Sequence, residues 1–439
     1  MQRVEIYFGF VQRGNSPSVR FVFLLILSKG FFSPCPVDDQ PYSYSDHVPS
    51  LSRKDFEGCT PLSPRYGSFH GFSVSRRDMM DYGERLSGLH VHMTAAGSSE
   101  KIRAVVFHQG ALGDFLMAAS AIDELAGTYG LARIDFWSKP EHVSLLTGKS
   151  YLGQCHSPDD ALIARLLQDS LWRTATLPDF LLKADILFIF GQAGSRLMAE
   201  RLSTRLSAKV YRVQSFPAGD NARTHVSRFL SRQLKDLGWS IGGKPLTLSG
   251  PVSEKQAARE LLRELGIHAR PVFIHPGSGG RRKVWPLANW HGLLNWIQRE
   301  LPLQALLSIG PADDYMDQFS VAVREAGVPI VSGLPLLRLS ALLSLCELYI
   351  GSDSGVSHLA AATGIPAITV FGPTDPRVWA PQGRNAVAVR RTWKKADGFT
   401  WAPSEKPDFQ DREIADLVKS SVSLQNVGLS SQVPGARED

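Results

Sequence analysis

The sequence predicts an α/β fold with two Rossmann-like domains that face a cleft. From residue 103 onward, apolar runs of strand length alternate with amphipathic runs of helix length, the pattern of a parallel sheet covered by helices. The alternation stops at 239–251, which is rich in Gly, Pro and Ser and reads as a linker, and then restarts. The 439 residues also exceed what one hydrophobic core normally supports, so two domains are expected.

The elements follow in order along the chain. In the first domain, strands are predicted at 104–108, 133–137, 185–190 and 209–213, and helices at 115–129, 195–206 and 221–237. In the second, a helix is predicted at 254–265 and strands at 272–275, 305–309, 348–351 and 367–371, with helices between them. Ligands of such sheets bind at the carboxyl ends of the strands, so the loops there are the candidate site.

The first 92 residues differ from the rest. Pro, Ser, Phe and Tyr are scattered without periodicity, so no stable fold is expected there. The apolar run 21–27 is preceded by Arg13 and Arg20, as in a signal peptide, but it is too short to span a bilayer. One hypothesis is that Met93 is the true start, which the intact mass of the natively expressed protein would test.

Composition indicates an ordinary globular protein. Four Cys without CxxC spacing predict neither a disulfide framework nor a metal site, and favour a reducing compartment. The net charge of +6 is concentrated in a basic segment at 196–235. That segment is either a solvated helix surface or a surface for an anionic partner.

The first candidate loop is GALGD, where Gly110, Ala111 and Gly113 allow a tight turn with accessible amides before a helix. Asp114 stands at the helix entrance. It is either a helix cap or a general base directed into the cleft, and spacing alone leaves both open.

The second loop, HPGSGGRRKVWP at 275–286, combines a glycine-rich cradle around Ser278 with three cations that include Lys283. This combination suits a diphosphate, although Lys283 could equally be a surface charge. The loop lacks the Gly-Lys-Ser/Thr ending of a P-loop, and neither domain carries the three-glycine dinucleotide fingerprint. Trp285 is expected in the core.

The third loop lies in GSDSGVSHLAAATGIPAITVFGPTDP at 351–376, which reads as strand, loop, helix and strand. Its loop and the free N–H groups of the helix start converge on one point that favours an anion. The polar residues at that point are Asp353, Ser354, Gly355, Ser357 and His358. His358 could also be a satisfied histidine of the helix start.

These three motifs, in this order, resemble those of glycosyltransferase family nine, the ADP-heptose:lipopolysaccharide heptosyltransferases. The resemblance covers about 102–395 and implies the GT-B architecture. It divides the chain into a poorly structured extension (1–100), an acceptor domain (101–240), a nucleotide-sugar domain (252–400) and a C-terminal helix with a tail (401–439). The helix at 408–421 would pack back on the first domain.

The resemblance also assigns roles. Asp114 would deprotonate the acceptor hydroxyl, Ser278 and Lys283 would bind the donor diphosphate, and Asp353 would hold heptose hydroxyls. Ser354, Gly355, Ser357 and His358 would belong to the donor loop, while Gly110, Ala111 and Gly113 would form the acceptor-side loop. Asp313 resembles an acidic position that contacts ribose, with Asp314 as the alternative.

The predicted function is therefore an inverting, metal-independent transfer of heptose from ADP-heptose to a lipopolysaccharide core acceptor, with no cofactor. A transferase using another nucleotide sugar, and a noncatalytic nucleotide-sugar binder, are the alternatives; an oxidoreductase is disfavoured by the missing fingerprint. The expected partners are the donor, an anionic glycolipid acceptor and the cytoplasmic face of the inner membrane, which the protein would contact peripherally. Nucleic acid is not expected.

Overall fold

The computed structural model describes residues 4–11, 20–27, 102–158, 161–310, 313, 316–393 and 409–429. The chain divides into two compact units, Met1–Ser98 and Ser99–Asp439. In the first unit, strands β1 (Val4–Val11) and β2 (Arg20–Leu27) pair antiparallel, with Val4 opposite Leu27. Sequence analysis expected no stable fold in this region, which stays a prediction; both runs are rich in aromatic and β-branched residues, which favour strands. The remainder of the predicted 1–100 extension lies outside the described residues.

The second unit begins with a five-stranded parallel sheet, which we call the N-terminal sheet. Its spatial order is β5-β4-β3-β6-β7. The strands are β3 (Arg103–His108), β4 (Arg133–Ser138), β5 (Leu152–His156), β6 (Ile186–Gly191) and β7 (Lys209–Gln214). The helices between them are α1 (Leu112–Tyr129), α2 (Pro140–Val143), α3 (Ala161–Leu167), α4 (Asp179–Leu182), α5 (Ala193–Ser203) and, after β7, α6 (Val226–Asp236).

A six-stranded parallel sheet follows, which we call the C-terminal sheet. Its order is β10-β9-β8-β11-β12-β13. The strands are β8 (Val272–His275), β9 (Ala305–Ile309), β10 (Ile330–Ser332), β11 (Leu348–Ser352), β12 (Ala367–Phe371) and β13 (Ala386–Arg390). The helices are α7 (Val252–Glu264), α8 (Leu287–Glu300), α9 (Asp317–Glu325), α10 (Leu336–Leu343), α11 (Gly355–Thr363), α12 (Pro376–Trp379) and α13 (Arg412–Leu429).

The α/β class with parallel sheets is confirmed. Both sheets lie within the single unit Ser99–Asp439, so their separation into two domains at 240 and 252 stays a prediction. The segment 239–251 carries no helix or strand but is well anchored. The Glu124 carboxylate accepts hydrogen bonds from the amides of Gly242, Gly243 and Lys244 at 2.7–2.9 Å. The linker is therefore an ordered strap along α1.

One packing prediction was wrong. The C-terminal helix α13 does not return to the N-terminal sheet: Ile414 and Val418 belong to the core of the C-terminal sheet, with Phe409 against Trp296. The apolar side chains of α13 pack on the C-terminal sheet and beside α8, where burial removes them from water. Trp285 also lies in this core, as expected, and is 4% exposed.

No helix among the described residues combines the length and the apolar character needed to cross a bilayer.

Candidate functional site

The GALGD loop connects the end of β3 to the first turn of α1. The helix begins at Leu112, earlier than predicted, so Asp114 lies inside its first turn. Its Oδ2 accepts a hydrogen bond from the Ala111 amide at 3.2 Å. Asp114 thus has the capping contact that the sequence allowed, and this contact holds its carboxylate at the carboxyl edge of the N-terminal sheet.

The environment of Asp114 also suits a base. Burial raises the pKa of its carboxyl group above the ordinary value. The Ala111 hydrogen bond and the charge of Lys283 oppose that rise, and the charge of Asp353 adds to it. The charges of Lys283 and Asp353 therefore act on Asp114, so the fold brings together groups from all three predicted motifs.

Asp114 borders a cavity of about 360 Å³ beside the N-terminal sheet. Its walls come from the carboxyl ends of β3, β6 and β7 and from α3 and α5. The lining residues are Phe107, His108, Gln109, Gly110, Asp114, Ile163, Leu167, Phe190, Gly191, Gln192, Gly194, Ser195, Met198, Ser215 and Phe216. None of these lining residues is Lys or Arg. The cavity walls are largely apolar, with amide and hydroxyl groups between the apolar side chains. Such a cavity fits a hydroxyl-bearing group with an apolar face.

The HPGSGG loop is tied to the loop after β11. The Ser278 hydroxyl is buried and donates to the Asp353 carbonyl at 2.7 Å. Lys283 sits on the short 3₁₀ turn Arg281–Lys283, and its Nζ lies 3.0 Å from Asp353 Oδ2. The same oxygen accepts the Thr374 hydroxyl at 2.6 Å. The two predicted donor loops therefore form one connected group around Asp353.

The serines of the third loop hold its backbone. Ser357 is fully buried, and its hydroxyl donates to the Ser352 carbonyl at 2.6 Å and contacts the Tyr349 hydroxyl at 2.9 Å. Ser354 is the N-cap residue of α11, without a side-chain cap bond. The Ser357 side chain thus closes the turn, and a donor role for either serine stays a prediction.

The helix starts of α1 and α11 meet end to end. A Cβ on Gly355 would lie 2.8 Å from Leu112 Cβ and 3.1 Å from the Gly113 amide nitrogen. His358, one turn into α11, faces Gly113 at a comparable approach, and burial lowers its pKa to about 4. Two positive helix ends and a neutral imidazole therefore converge beside Asp114 and Lys283, a setting that favours an anion.

Asp313, the predicted ribose contact, is buried inside the protein. It is 3% exposed, and its Oδ2 accepts the Gly310 amide at 2.7 Å. A Cβ on Gly277 would collide with this carboxylate. The Asp313 carboxylate thus packs against Gly277 of the HPGSGG loop, and its contact with ribose stays a prediction. Asp314 lies outside the described residues.

Several site residues were missed from the sequence. Thr374 was not singled out, yet its hydroxyl donates to the Asp353 carboxylate. Gln192 and Ser195 line the cavity, and the run GQAGS directly after β6 was a signal that could have identified them. His225 and Trp379 also join the two sheets: His225 Nε2 lies 3.0 Å from the Ala380 carbonyl, and Phe216 packs edge-on against Trp379.

Part of the basic segment is structural. Arg201 is 6% exposed and donates to the Leu166 carbonyl, with Asp169 as its ion-pair partner. Arg205 donates to the Trp172 carbonyl, and Arg212 contacts the Ser195 hydroxyl. The segment is therefore neither wholly a solvated surface nor wholly available to an anionic partner.

Comparison with known proteins finds one matching family. The model of glycosyltransferase family 9 (heptosyltransferase) matches residues 221–406, which contain the second and third motifs. Over this stretch the chain resembles the heptosyltransferases of glycosyltransferase family 9. The resemblance read from the motifs is thereby confirmed.

Relatives and solved structures agree with this family. Lipopolysaccharide heptosyltransferase 3 of Escherichia coli is 28% identical over 158 residues, which cover 35% of this chain and 46% of that protein. The chain thus matches about half the length of this curated relative. The family 9 glycosyltransferase of Veillonella parvula superposes with a TM-score of 0.58 at 16% identity, covering 74% of this chain and 99% of that one. The E. coli ADP-heptose lipopolysaccharide heptosyltransferase II gives 0.55 at 17%, covering 74% and 100%. These structures support the GT-B type of fold.

The family match does not extend to the GALGD loop, which precedes residue 221. In this heptosyltransferase-like chain, the case for Asp114 therefore comes from its position beside the cavity and beside Lys283. The case for the second and third loops comes from both the family match and the geometry.

Proposed function

We propose that this protein is an inverting glycosyltransferase that moves heptose from ADP-heptose to a hydroxyl group of a lipopolysaccharide core acceptor. One observation carries the proposal: Asp114 lines a cavity that carries no Lys or Arg, and it also lies near the Lys283–Asp353 pair and the two helix ends. A base between an acceptor site and an anion site is the arrangement that a single-displacement transfer requires.

In the proposed reaction, the acceptor hydroxyl enters the cavity and gives its proton to Asp114. The acceptor oxygen attacks the anomeric carbon as the bond from that carbon to the diphosphate oxygen breaks, so the configuration inverts. The raised pKa of Asp114 makes the carboxylate a stronger base than an exposed one. No covalent sugar–enzyme intermediate is needed.

The departing ADP carries the charge that develops in the reaction. Lys283 and the helix start of α11 would stabilise its diphosphate, and Asp353 would then share its carboxylate with heptose hydroxyls. Lys283 and the helix start supply positive charge for the diphosphate, which is why metal independence is proposed. ADP-heptose as donor is supported by the names of the relatives and neighbours.

The acceptor and the location are proposed on the same basis. The two sheets would act as acceptor and donor domains facing one cleft. Because the cavity lining carries no cation, the anionic groups of the glycolipid would stay outside it. The protein would work in the cytoplasm at the inner membrane face, where such an acceptor is anchored.

The first test is calorimetric titration of the full chain with ADP, UDP, GDP and ADP-heptose, with and without Mg²⁺. Binding confined to the adenine compounds, strongest for ADP-heptose and independent of Mg²⁺, is expected. Preference for another base would overturn the donor assignment. Transfer is then followed by mass spectrometry of a heptose-deficient lipopolysaccharide core, and binding without transfer would favour a noncatalytic relative.

A further inference from the structure

Exposed leucines are concentrated in one stretch of the chain. Among the described residues, seven large apolar side chains are exposed, and four of them lie between residues 161 and 203. These four are Leu167 (42% exposed), Leu171 (40%), Leu182 (49%) and Leu197 (37%). The other three, Val252, Val321 and Val387, belong to separate elements of the C-terminal sheet. Single exposed apolar residues are common, but a cluster of them marks an interaction surface.

The four leucines belong to one packed layer, which we call the α3–α5 layer: helices α3, α4 and α5 with the connecting residues 168–178. Buried residues from all three helices join one hydrophobic cluster on the N-terminal sheet. The Arg201 guanidinium donates to the Leu166 carbonyl at 2.7 Å, which joins α5 to α3. Arg205, two residues after α5, donates to the Trp172 carbonyl at 2.7 Å and so fixes the connection beside the end of α5. The leucines therefore project from a fixed surface.

The charge of this surface is positive. Helices α3, α4 and α5 and residues 168–178 contain four Lys or Arg and three Asp or Glu, and Lys183 follows α4 directly. These three acids are paired: Asp169 with Arg201, Asp179 with Lys183, and Glu200 with Arg196. Arg165 and Arg173 are exposed cations in addition to these pairs, and the Arg173 guanidinium lies 4.5 Å from the centre of the half-buried Trp172 ring. Leucine, tryptophan and arginine on one surface form the usual composition of an interfacial membrane contact.

The α3–α5 layer also surrounds the cavity beside Asp114. Leu167 lines that cavity while its side chain remains 42% exposed. Met198 lines the cavity from α5 and belongs to the buried cluster that holds the layer on the sheet. The apolar surface is thus continuous with the apolar cavity wall.

We propose that the α3–α5 layer docks the protein on an anionic lipid membrane. The leucines enter the interfacial region, and the arginines contact lipid phosphates. The inference deepens the proposed function, since a docked layer would present the cavity to a lipid-anchored acceptor. Membrane binding itself requires neither the donor nor turnover, so it is testable separately.

The experiment is sedimentation of the full chain with vesicles of phosphatidylglycerol and phosphatidylcholine, and with vesicles of phosphatidylcholine alone. Leu171→Asp, Leu182→Asp and Leu197→Asp are each expected to weaken binding to the anionic vesicles by about tenfold, because a carboxylate replaces an inserted apolar group. The matched controls are Val252→Asp and Val321→Asp, which place the same charge at exposed apolar positions outside the layer. These controls should stay within about twofold of the parent, since they are remote from the proposed contact.

Two further variants test the charge. Arg165→Gln and Arg173→Gln should each weaken binding to anionic vesicles by about fivefold, the effect of one basic residue near such a surface. Neither substitution should change binding to neutral vesicles much. High salt should remove the difference between these variants and the parent on anionic vesicles. A loss that is equal on both kinds of vesicle would contradict the role of the arginines.

Three outcomes would overturn the proposal: no sedimentation of the parent protein, equal weakening by the control aspartates, or unchanged binding by all three layer variants. In another outcome, the parent binds no vesicles and shows a monomer–dimer equilibrium in ultracentrifugation. If Leu197→Asp abolishes that equilibrium, the surface is a contact with a second copy of the chain. ADP titration of the same variants keeps the two proposals apart, because intact ADP binding with lost vesicle binding leaves the donor site in place.

Discussion

The Lys283 ammonium lies 3.0 Å from the Asp353 carboxylate, so the cation proposed for the diphosphate is held by an acid of the neighbouring loop. The Asp353 side chain is buried, with 6% of its surface exposed, and the Lys283 side chain is 30% exposed. An incoming diphosphate would compete with Asp353 for Lys283. The competition would release the carboxylate toward the sugar, so one ion pair connects donor phosphate and donor sugar recognition.

Replacing Lys283 should weaken the donor site. Lys283→Ala is expected to lower ADP affinity by about 1.5–3 kcal/mol, the usual contribution of a hydrogen bond to a charged group. Arg282→Ala is the matched control, because Arg282 is an exposed cation on the same 3₁₀ turn. Calorimetry checks both variants, and equal affinities for Lys283→Ala and the parent would remove Lys283 from the diphosphate site.

Replacing Asp114 should stop turnover and leave ADP binding nearly intact. Asp114→Asn is expected to lower kcat by about 10²–10⁴-fold, the contribution of a general base. The amide can still accept the Ala111 hydrogen bond, so the helix start should be preserved. Single-turnover transfer at saturating donor measures the effect. A kcat within a few-fold of the parent value would show that Asp114 acts only as a capping residue.

The same variant should be more stable than the parent at neutral pH. Burial raises the pKa of Asp114 in the folded state above the ordinary 3.8 of the unfolded chain. The unfolded state then loses its proton first as pH rises, so the folded state is destabilised as pH passes from 3.8 through the folded pKa. Asparagine at position 114 does not ionise, so Asp114→Asn avoids this destabilisation. Urea unfolding at pH 7 should give a higher free energy of unfolding for Asp114→Asn, and a lower one would mean that its charge contacts are net stabilising.

Sequence reasoning found the strands that a parallel sheet buries and missed most of those at sheet edges. β8, β9 and β12 match the predicted bounds, and β8 and β12 are buried at every residue. β5, β10 and β13 were not predicted, and each lies at a sheet edge with few buried residues. An edge strand needs no continuous apolar run, because one of its sides is uncovered, and the run is the signal that the prediction used.

The candidate site was predicted as a set of loops and not as a set of contacts. Spacing correctly placed Asp114 and Lys283 at the carboxyl ends of strands. It gave no information on the Ser278 bond to the Asp353 carbonyl or on the burial of Asp313 under Gly277. Those contacts depend on how separate βα units pack, which no local pattern of residue types encodes.

The contact between Gly355 and the start of α1 should tolerate no side chain. In Gly355→Ala the new Cβ would lie 2.8 Å from Leu112 Cβ, so the two helix ends must separate. A loss of about 1–3 kcal/mol in the free energy of unfolding is expected, as for other overpacked contacts, together with lower turnover.

Gly127→Ala is the matched control for Gly355→Ala. Gly127 lies inside α1, and a Cβ there would meet nothing within 4 Å. This control should stabilise the protein by up to about 1 kcal/mol, because alanine is the better helix residue. Chemical unfolding measures the free energy of unfolding of both variants. If Gly355→Ala is as stable as the parent, the two helix ends do not need close contact.

Buried histidines should make the protein sensitive to mild acid. Burial lowers the pKa of His358 to about 4 and that of His108 to about 3, and it also lowers the pKa of His142, His225 and His275. In the unfolded chain these groups titrate near 6.5, so below that pH the unfolded state binds more protons than the folded state. The free energy of unfolding should therefore fall as pH decreases from 6.5 toward 4.

His358→Gln isolates one of these groups. In the parent, a histidine that stays neutral while the unfolded chain is protonated contributes up to about 1.4 kcal/mol per pH unit to the slope. The variant should lose some stability at pH 7.5 through its altered packing against Gly113, and its stability should then fall less steeply between pH 6.5 and 4. Urea unfolding at a series of pH values compares the two slopes. Parallel curves would show that His358 takes up its proton in the folded state, which would in turn require an open path from solvent to the meeting point of α1 and α11.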